Sequence, residues 1–245
     1  MPTLTAAPEN RKSQSAINKH YITMSYTIEL AFTPLLYILQ RMSQPFHYRQ
    51  EIYRKLIHLS SLWMPAAIYF LERKIALLVF AVSMIAVLAY EIVRRQRNVW
   101  ARVLDWVFGG ALRPDEKGRR FKPSGAIYVL IAAFLSALVF PRLVAVTALA
   151  MMLTGDAAAA LMGRRFGRVR ILDKSLEGAL AFFVAALATA GVIAAVVPAA
   201  ESRYMYAATA AALAGAAVEL VSKRLHIDDN LAAPLAAGGV MMLLM

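Results

Sequence analysis

The chain has 245 residues, of which 60% are hydrophobic and only 17% are charged, and it contains no cysteine. An ordinary soluble domain carries about a quarter charged residues, and the apolar residues here fall in long runs, so the composition indicates a multi-spanning membrane protein. The lack of cysteine excludes disulfides, thiolate catalysis and cysteine-ligated zinc. The net charge of +12 is concentrated in a few loops between apolar runs. This pattern orients membrane proteins, and we expect no nucleic-acid partner.

Residues 1–56 are predicted to form a cytoplasmic tail that carries an interfacial amphipathic segment. Residues 1–21 and 41–56 are polar and basic. Residues 22–40 are apolar, but they contain Glu29 and Pro34 and only reach the lower limit for a membrane span. We therefore expect this segment to lie in the membrane interface.

Seven apolar runs predict a transmembrane catalytic domain from residue 57 to residue 245. The runs are residues 57–71, 75–93, 126–140, 143–162, 178–197, 204–221 and 231–245. Basic residues crowd the tail and three long loops, residues 94–124, 163–177 and 222–230. Because basic loops stay in the cytoplasm, we expect an all-α, polytopic membrane helix bundle with a cytoplasmic N-terminus and an external C-terminus. Its expected location is the bacterial inner (cytoplasmic) membrane.

Small residues recur at every fourth position in two of the later predicted helices. They are Gly155, Ala159 and Gly163 in one helix and Ala207, Ala211 and Gly215 in the other. This spacing lets helix backbones approach closely. Glu219 is the next residue on the second stripe, so it should face the bundle and not the lipid.

Asp156 is the polar residue whose position most strongly indicates a function. We expect it near the cytoplasmic end of the fourth predicted span, and a carboxylate at membrane depth is costly and marks a functional site by default. The loop that follows is rich in glycine and in basic residues, which suit a phosphorylated ligand. Its relevant residues are Gly163, Arg164, Arg165, Gly167, Arg168, Arg170, Lys174, Ser175, Glu177 and Gly178.

The other polar residues at membrane ends each have a structural interpretation as well. Basic residues at the start of a span anchor its topology, acids pair with bases one helical turn away, and Asp or Asn caps helices. Anchoring applies to Arg54, Lys55 and His58. Pairing one turn away applies to Glu91 and Glu219, and helix capping applies to Asp228, Asp229 and Asn230. All of these residues nevertheless fall at cytoplasmic ends of the predicted spans. A single functional site at the cytoplasmic face of the bilayer explains why all of them fall on that side.

Several carboxylates without a histidine or cysteine cluster suit Mg²⁺ or another hard divalent cation. The candidate metal ligands are Asp156, Glu219, Asp228 and Asp229. Lysines and arginines beside such a cation can neutralise phosphate charge, and phosphoryl transfer is catalysed mainly by positioning and neutralisation. The chain has neither a P-loop nor a dinucleotide-binding glycine motif. A nucleotide would thus be held by an unusual loop, and the second substrate would be a lipid whose head reaches the cytoplasmic face.

At these residues the chain resembles the CTP-dependent lipid kinases, a family that includes dolichol, phytol and farnesol kinases and the yeast-type diacylglycerol kinase. The resemblance covers about residues 50–240 and rests on motifs in the family's order. They are Arg54-Lys55-x-x-His58, Glu91 with Arg94, Lys122-x-Ser124-Gly125, Gly155-Asp156-Ala157, Gly163-Arg164-Arg165-Phe166-Gly167, Lys174-Ser175-x-Glu177-Gly178, Glu219 and Asp228-Asp229-Asn230-Leu231-x-x-Pro234. The resemblance implies transfer of the γ-phosphate of CTP to a lipid alcohol, with a divalent cation such as Mg²⁺.

These arguments give three sets of candidate site residues. The catalytic candidates are His58, Asp156, Lys174, Asp228 and Asp229. The nucleotide-binding candidates are Arg54, Lys55, Gly163, Arg164, Arg165, Gly167, Lys174, Ser175, Glu177 and Gly178. Further candidates are Glu91, Lys122, Ser124 and Asn230. For His58 the sequence leaves two roles open, acceptance of the lipid hydroxyl proton and orientation of a phosphate.

Two other functions are compatible with parts of the sequence. Phosphatidate cytidylyltransferases share a K-S/T-x-E-G-like element after a glycine-basic loop, but their distal Lys-Arg, Lys-Asp and His-Gly-Gly signature is absent here. A transporter or a non-enzymatic scaffold would explain the membrane spans. It would not explain why the acids lie at cytoplasmic ends of the spans or why the glycine-rich basic loop suits phosphate. The products distinguish the three: a lipid monophosphate with CDP, a CDP-lipid with pyrophosphate, or neither.

Overall fold

The computed structural model describes residues 44–95, 123–197, 203–222, 224 and 227–245. Within these residues lie eight helices: α1 Gln44–Ser60, α2 Trp63–Phe70, α3 Arg73–Arg95, α4 Gly125–Val139, α5 Arg142–Phe166, α6 Leu176–Val196, α7 Tyr204–Val221 and α8 Asp229–Leu244. A two-stranded antiparallel hairpin, β1 Arg170–Ile171 and β2 Lys174–Ser175, joins α5 to α6. The predicted all-α class is confirmed. The predicted interfacial segment 22–40 and the candidate Lys122 lie outside the described residues.

Four helices are long and apolar enough to cross a membrane. They are Arg73–Val93, Arg142–Phe166, Leu176–Val196 and Tyr204–Val221. Two shorter apolar helices, Gly125–Val139 and Asp229–Leu244, coincide with the third and seventh predicted spans. A membrane protein with several apolar helices is therefore supported, whereas the number of seven spans and their orientation stay predictions.

The first predicted span, residues 57–71, is wrong as a single helix. α1 ends at Ser60, and α2 begins only at Trp63 after a turn in which the Ser61 amide donates to the His58 carbonyl. Pro65 explains the break, because its ring clashes with the carbonyl four residues earlier, which is that of Ser61. Hydropathy does not register this interruption, so the apolar run looked continuous.

The end of the fourth predicted span is also wrong. α5 continues past residue 162 to Phe166, so Gly163, Arg164 and Arg165 lie in its last turn and not in a loop. Asp156 consequently lies ten residues before the last residue of the helix. At 1.5 Å per residue this is about 15 Å from the helix end. Asp156 belongs to the interior of the bundle and not to the end of a helix.

α5 is the central helix of the bundle. Every residue from Val144 to Leu153 is buried, as expected for a helix that is apolar on all sides. α5 packs against α2, α4, α6, α7 and α8. Two side-chain hydrogen bonds tie it to its neighbours: Thr154 to Thr189 of α6 at 2.8 Å, and Thr147 to Tyr204 of α7 at 3.0 Å. Such bonds contribute modestly to helix association in membranes.

Two glycines of the predicted small-residue stripes make room for one aromatic ring. A Cβ added at Gly155 would lie 2.8 Å from the ring of Phe182, and one added at Gly215 would lie 2.9 Å from it. Phe182, on α6, is 1% exposed. The stripes therefore lie on the buried faces, as predicted, but these glycines accommodate a side chain and not simply another backbone. Glu219 is 4% exposed, which confirms that it faces the bundle.

We expect Gly155→Ala to destabilise the protein by about 1–3 kcal/mol, because the added methyl group overlaps a buried ring. Gly191→Ala in α6 is the matched control, since a Cβ there meets nothing within 4 Å. That change should leave stability unchanged or raise it by about 0.5–1 kcal/mol, the ordinary helical preference for alanine. Thermal unfolding of the purified proteins in detergent measures both. Equal midpoints for the two variants would contradict the packing of Phe182 against Gly155.

Candidate functional site

Three acidic side chains from three helices meet inside the bundle. One carboxylate oxygen from each of Asp156 (α5), Glu219 (α7) and Asp229 (α8) lies within 4.8 Å of the other two. Asp156 is 8% exposed and Glu219 is 4% exposed. We refer to Asp156, Glu219 and Asp229 as the carboxylate triad. Three negative charges at this separation, two of them buried and the third half-buried, are costly unless cations compensate them.

Two lysines supply that compensation. Lys55 of α1, itself buried, donates from Nζ to Asp156 Oδ2. Lys174 of β2 donates from Nζ to Glu219 Oε1 at 2.5 Å and to Asp229 Oδ2 at 2.9 Å. Burial opposes the charged form of Lys174, but attraction to Asp229 and Glu219 and the hydrogen bonds to them outweigh it, so the pKa of Lys174 is raised. The triad and the two lysines together form a charged cluster.

Two buried polar atoms beside the triad make no hydrogen bond within the described part of the chain. His58 Nε2 lies 3.1 Å from Asp156 Oδ2 but without hydrogen-bond geometry, and Glu219 Oε2 also has no donor. Buried polar groups are nearly always satisfied, so such atoms call for an explanation, for example an ion or a water molecule. Three oxygen ligands and a free carboxylate oxygen fit a hard divalent cation.

Glu51 is a site residue that the sequence argument missed. It is 5% exposed, its Oε1 accepts a hydrogen bond from Arg54 Nη2, and its Oε2 lies 2.8 Å from Arg164 Nη2. Glu51 thus holds an arginine of α1 beside an arginine of α5. The signal that could have identified it is spacing: Glu51, Arg54, Lys55 and His58 lie on one face of a helix, three, four and seven residues apart. Residues 41–56 were instead assigned to a polar tail.

The three candidate glycines surround the Ser175 hydroxyl. A Cβ added at Gly163, Gly167 or Gly178 would lie 2.8, 2.9 or 3.0 Å from Ser175 Oγ. Ser175 caps α6, because its Oγ accepts a hydrogen bond from the Gly178 amide at 3.1 Å. These residues pack the end of α5 tightly against the start of α6. Their contacts with phosphate stay a prediction.

Four further candidates have capping contacts at helix starts. Asp228 caps α8, and its Oδ1 accepts hydrogen bonds from the Asn230 amide at 3.0 Å and from Asn230 Nδ2 at 2.8 Å. Glu91, which is 0% exposed, accepts from the Ser124 amide at 2.8 Å where α4 begins. Asp228, proposed as a metal ligand, therefore lies outside the carboxylate triad, and the capping interpretation describes its observed contacts.

The two remaining candidates, Arg165 and Glu177, lie outside the charged cluster. Glu177 Oε1 accepts hydrogen bonds from the amides of Arg168 at 2.9 Å and Val169 at 3.1 Å, which closes the hairpin. Arg165 is exposed, and its guanidinium lies 5.2 Å from the centroid of the Phe166 ring. Of the predicted basic phosphate ligands, Lys55 and Lys174 contact the triad, and Arg54 and Arg164 contact Glu51.

One curated relative of the chain is an uncharacterized protein of Rickettsia prowazekii (strain Madrid E). The two are 28% identical over an alignment of 192 residues, and the match covers 75% of this chain and 89% of that protein. No family model matches the chain. No solved structure matches it at a significant level. Function must therefore be argued from the charged cluster and from the sequence motifs that build it.

Proposed function

We propose that the protein is an integral-membrane lipid kinase that transfers the γ-phosphate of CTP to the hydroxyl group of a lipid alcohol. The acceptor would be a polyprenol, a phytol-like isoprenoid or a diacylglycerol. The observation that carries the proposal is the convergence of the carboxylate triad, Lys55, Lys174 and His58 in one buried cluster within an apolar bundle. A cluster that combines ligands for a hard cation with ammonium groups suits phosphoryl transfer, which depends on positioning and charge neutralisation.

The chain's own side chains divide into three proposed roles. The triad would hold Mg²⁺, which when bound supplies neutralisation of the β- and γ-phosphate oxygens. Lys55 and Lys174 would pair with phosphate oxygens. Arg54 and Arg164, held beside each other by Glu51, would bind the rest of the triphosphate through charge-assisted hydrogen bonds. The choice of CTP as donor comes from the family resemblance.

In the proposed reaction, the lipid hydroxyl oxygen forms a bond to the γ-phosphorus of CTP. The bond between that phosphorus and the oxygen bridging to the β-phosphate breaks, so the products are a lipid monophosphate and CDP. His58 Nε2, which is buried and makes no hydrogen bond within the described residues, would take the hydroxyl proton. Asp156 Oδ2, 3.1 Å away, would stabilise the imidazolium that forms.

We also propose that the protein has seven spans, a cytoplasmic N-terminus and an external C-terminus, in the bacterial cytoplasmic membrane. The basic bias of alternate loops supports this orientation. A reporter that is active only in the cytoplasm should give signal when fused at residue 170 and none at residue 245. Signal at both positions would mean that an even number of spans separates residue 170 from residue 245, and it would contradict the proposed topology.

The kinase proposal is tested with purified protein, Mg²⁺, a panel of lipid alcohols and either CTP or ATP. We expect CDP and a lipid monophosphate to form in equal amounts with at least one alcohol, and ATP to be a much poorer donor. Release of pyrophosphate with formation of a CDP-lipid would establish the cytidylyltransferase alternative. Turnover of neither nucleotide with any alcohol, by protein that elutes as a single species, would contradict the proposal.

A further inference from the structure

The cations that hold the carboxylate triad together are the protein's own lysines. Lys174 Nζ lies 2.5 Å from Glu219 Oε1 and 2.9 Å from Asp229 Oδ2, and Lys55 Nζ bonds to Asp156 Oδ2. Each carboxylate of the triad is therefore already paired with an ammonium group. A divalent cation that used these carboxylates would have both ammonium groups as immediate neighbours.

This arrangement disfavours binding of a cation by itself. Mg²⁺ coordinates oxygens at about 2.0–2.1 Å, and the ammonium groups touch oxygens of the same carboxylates. Like charges this close together in a buried site repel each other strongly. Each lysine would also lose its carboxylate partner to the metal while it remained largely buried. Either consequence weakens the affinity of the triad for a free cation.

A polyphosphate anion removes both penalties at once. Its oxygens accept hydrogen bonds from the displaced ammonium groups and share the metal with the triad. Lys174 has the freedom for this exchange, because it lies on the short hairpin and its side chain is 26% exposed. Without a metal, the polyphosphate would instead lie beside the carboxylates that the ammonium groups had left, and these would repel it.

We propose that the carboxylate triad binds a divalent cation and a polyphosphate cooperatively, with Lys55 and Lys174 moving from the carboxylates to the phosphates. The inference deepens the proposed function, on which it rests for the nucleotide as the natural anion. By linkage the cation raises the affinity for the anion by the same factor as the anion raises that for the cation.

The test uses purified full-length protein in detergent with Mn²⁺, Mg²⁺ and inorganic pyrophosphate as probes. Electron paramagnetic resonance of free Mn²⁺ measures the affinity for the cation alone. Equilibrium dialysis of labelled pyrophosphate, corrected for its complex with Mg²⁺ in solution, measures the effect of the cation on the anion. We expect Mg²⁺ to tighten pyrophosphate binding by about tenfold to a hundredfold, within the usual range of coupling between sites. Attraction to basic residues alone predicts the reverse, because Mg²⁺ reduces the charge of the anion.

Lys174→Gln removes one resident cation and should tighten the binding of Mn²⁺ alone by about tenfold, a change of 1.4 kcal/mol, while the effect of Mg²⁺ on pyrophosphate shrinks. Lys74→Gln is the matched control, because Lys74 is exposed at the start of α3, and it should behave like the wild type. If Lys174→Gln does not fold, Lys55→Gln tests the same point at Asp156.

Tight binding of Mn²⁺ alone by the wild type, or pyrophosphate binding that is indifferent to Mg²⁺, would overturn the inference. Absence of binding in every combination would overturn it too. Lipid phosphorylation from CTP without this coupling would leave the proposed function standing and remove only the cooperative mechanism. Coupled binding of the cation and pyrophosphate by a protein that phosphorylates no lipid would support the cooperative mechanism and contradict the proposed function.

Discussion

Asp156→Asn is expected to abolish turnover and also to destabilise the protein, and these two effects have different causes. The variant removes a central member of the carboxylate triad. A bound metal supplies several kcal/mol of charge stabilisation, so its loss lowers the rate by at least about a hundredfold. The variant also leaves Lys55, which is 5% exposed, without its carboxylate. Removal of one partner from a buried ion pair costs about 3–5 kcal/mol.

The double variant Asp156→Asn with Lys55→Met separates the two effects. Replacing both members of a buried ion pair by uncharged groups is often close to neutral for stability, so the midpoint of thermal unfolding should return towards that of the wild type. Turnover should stay absent. Normal activity of Asp156→Asn at saturating Mg²⁺, or activity regained by the double variant, would show that Asp156 is structural and not catalytic.

Glu51→Gln is expected to raise the KM for the nucleotide by about tenfold to a hundredfold with a smaller change in kcat. Glu51 accepts a hydrogen bond from Arg54 and forms an ion pair with Arg164, and bonds between charged groups contribute about 1.5–3 kcal/mol each. Without the carboxylate the two guanidinium groups are no longer held side by side. An interaction that binds substrate and transition state equally changes KM more than kcat.

Glu72→Gln is the matched control for Glu51→Gln, because Glu72 is exposed just before α3. Steady-state kinetics with varied nucleotide and saturating lipid should separate the two variants, with Glu72→Gln like the wild type. A fall in kcat at unchanged KM in Glu51→Gln would indicate general damage to the site. In that case Glu51 would not position the arginines for the nucleotide.

The sequence predicted the helices with the strongest apolar patterns and the faces that they bury. The runs that became α3 to α8 were located to within a few residues, with α5 extending furthest beyond its prediction. The stripe through Gly215 placed Glu219 on the buried face. These features follow from local periodicity and length, which a single sequence displays directly.

The partners of the charged residues could not be predicted in this way. Lys55 and Asp156 are 101 residues apart in the chain, and Lys174 and Glu219 are 45 apart. Local spacing instead offers partners one turn away, and for Glu219 that partner would be Lys223. Only the packing of α1, the hairpin and α7 around α5 selects the distant pairs, and that packing depends on the whole bundle.

Backbone details also limit what a single sequence can reveal. Pro65 divides an apolar run that hydropathy treats as one span. Gly163 and Gly167 are candidate nucleotide-binding residues, and the group that lies close to them in the structure is the Ser175 hydroxyl. Glycine permits close approach by any group, so the residue type alone does not reveal which group approaches. Asp228 illustrates the same limit, since an acid can cap a helix as well as bind a metal.

Two labels in one measurement test whether the charged cluster transfers the terminal phosphate of CTP to a lipid. Purified protein is incubated with Mg²⁺, a panel of lipid alcohols and CTP labelled at either the γ- or the α-phosphate. We predict that the γ-label passes to a lipid and that the α-label stays in CDP. Transfer of the α-label to a lipid, or of neither label by protein of a single size, would contradict phosphoryl transfer from CTP.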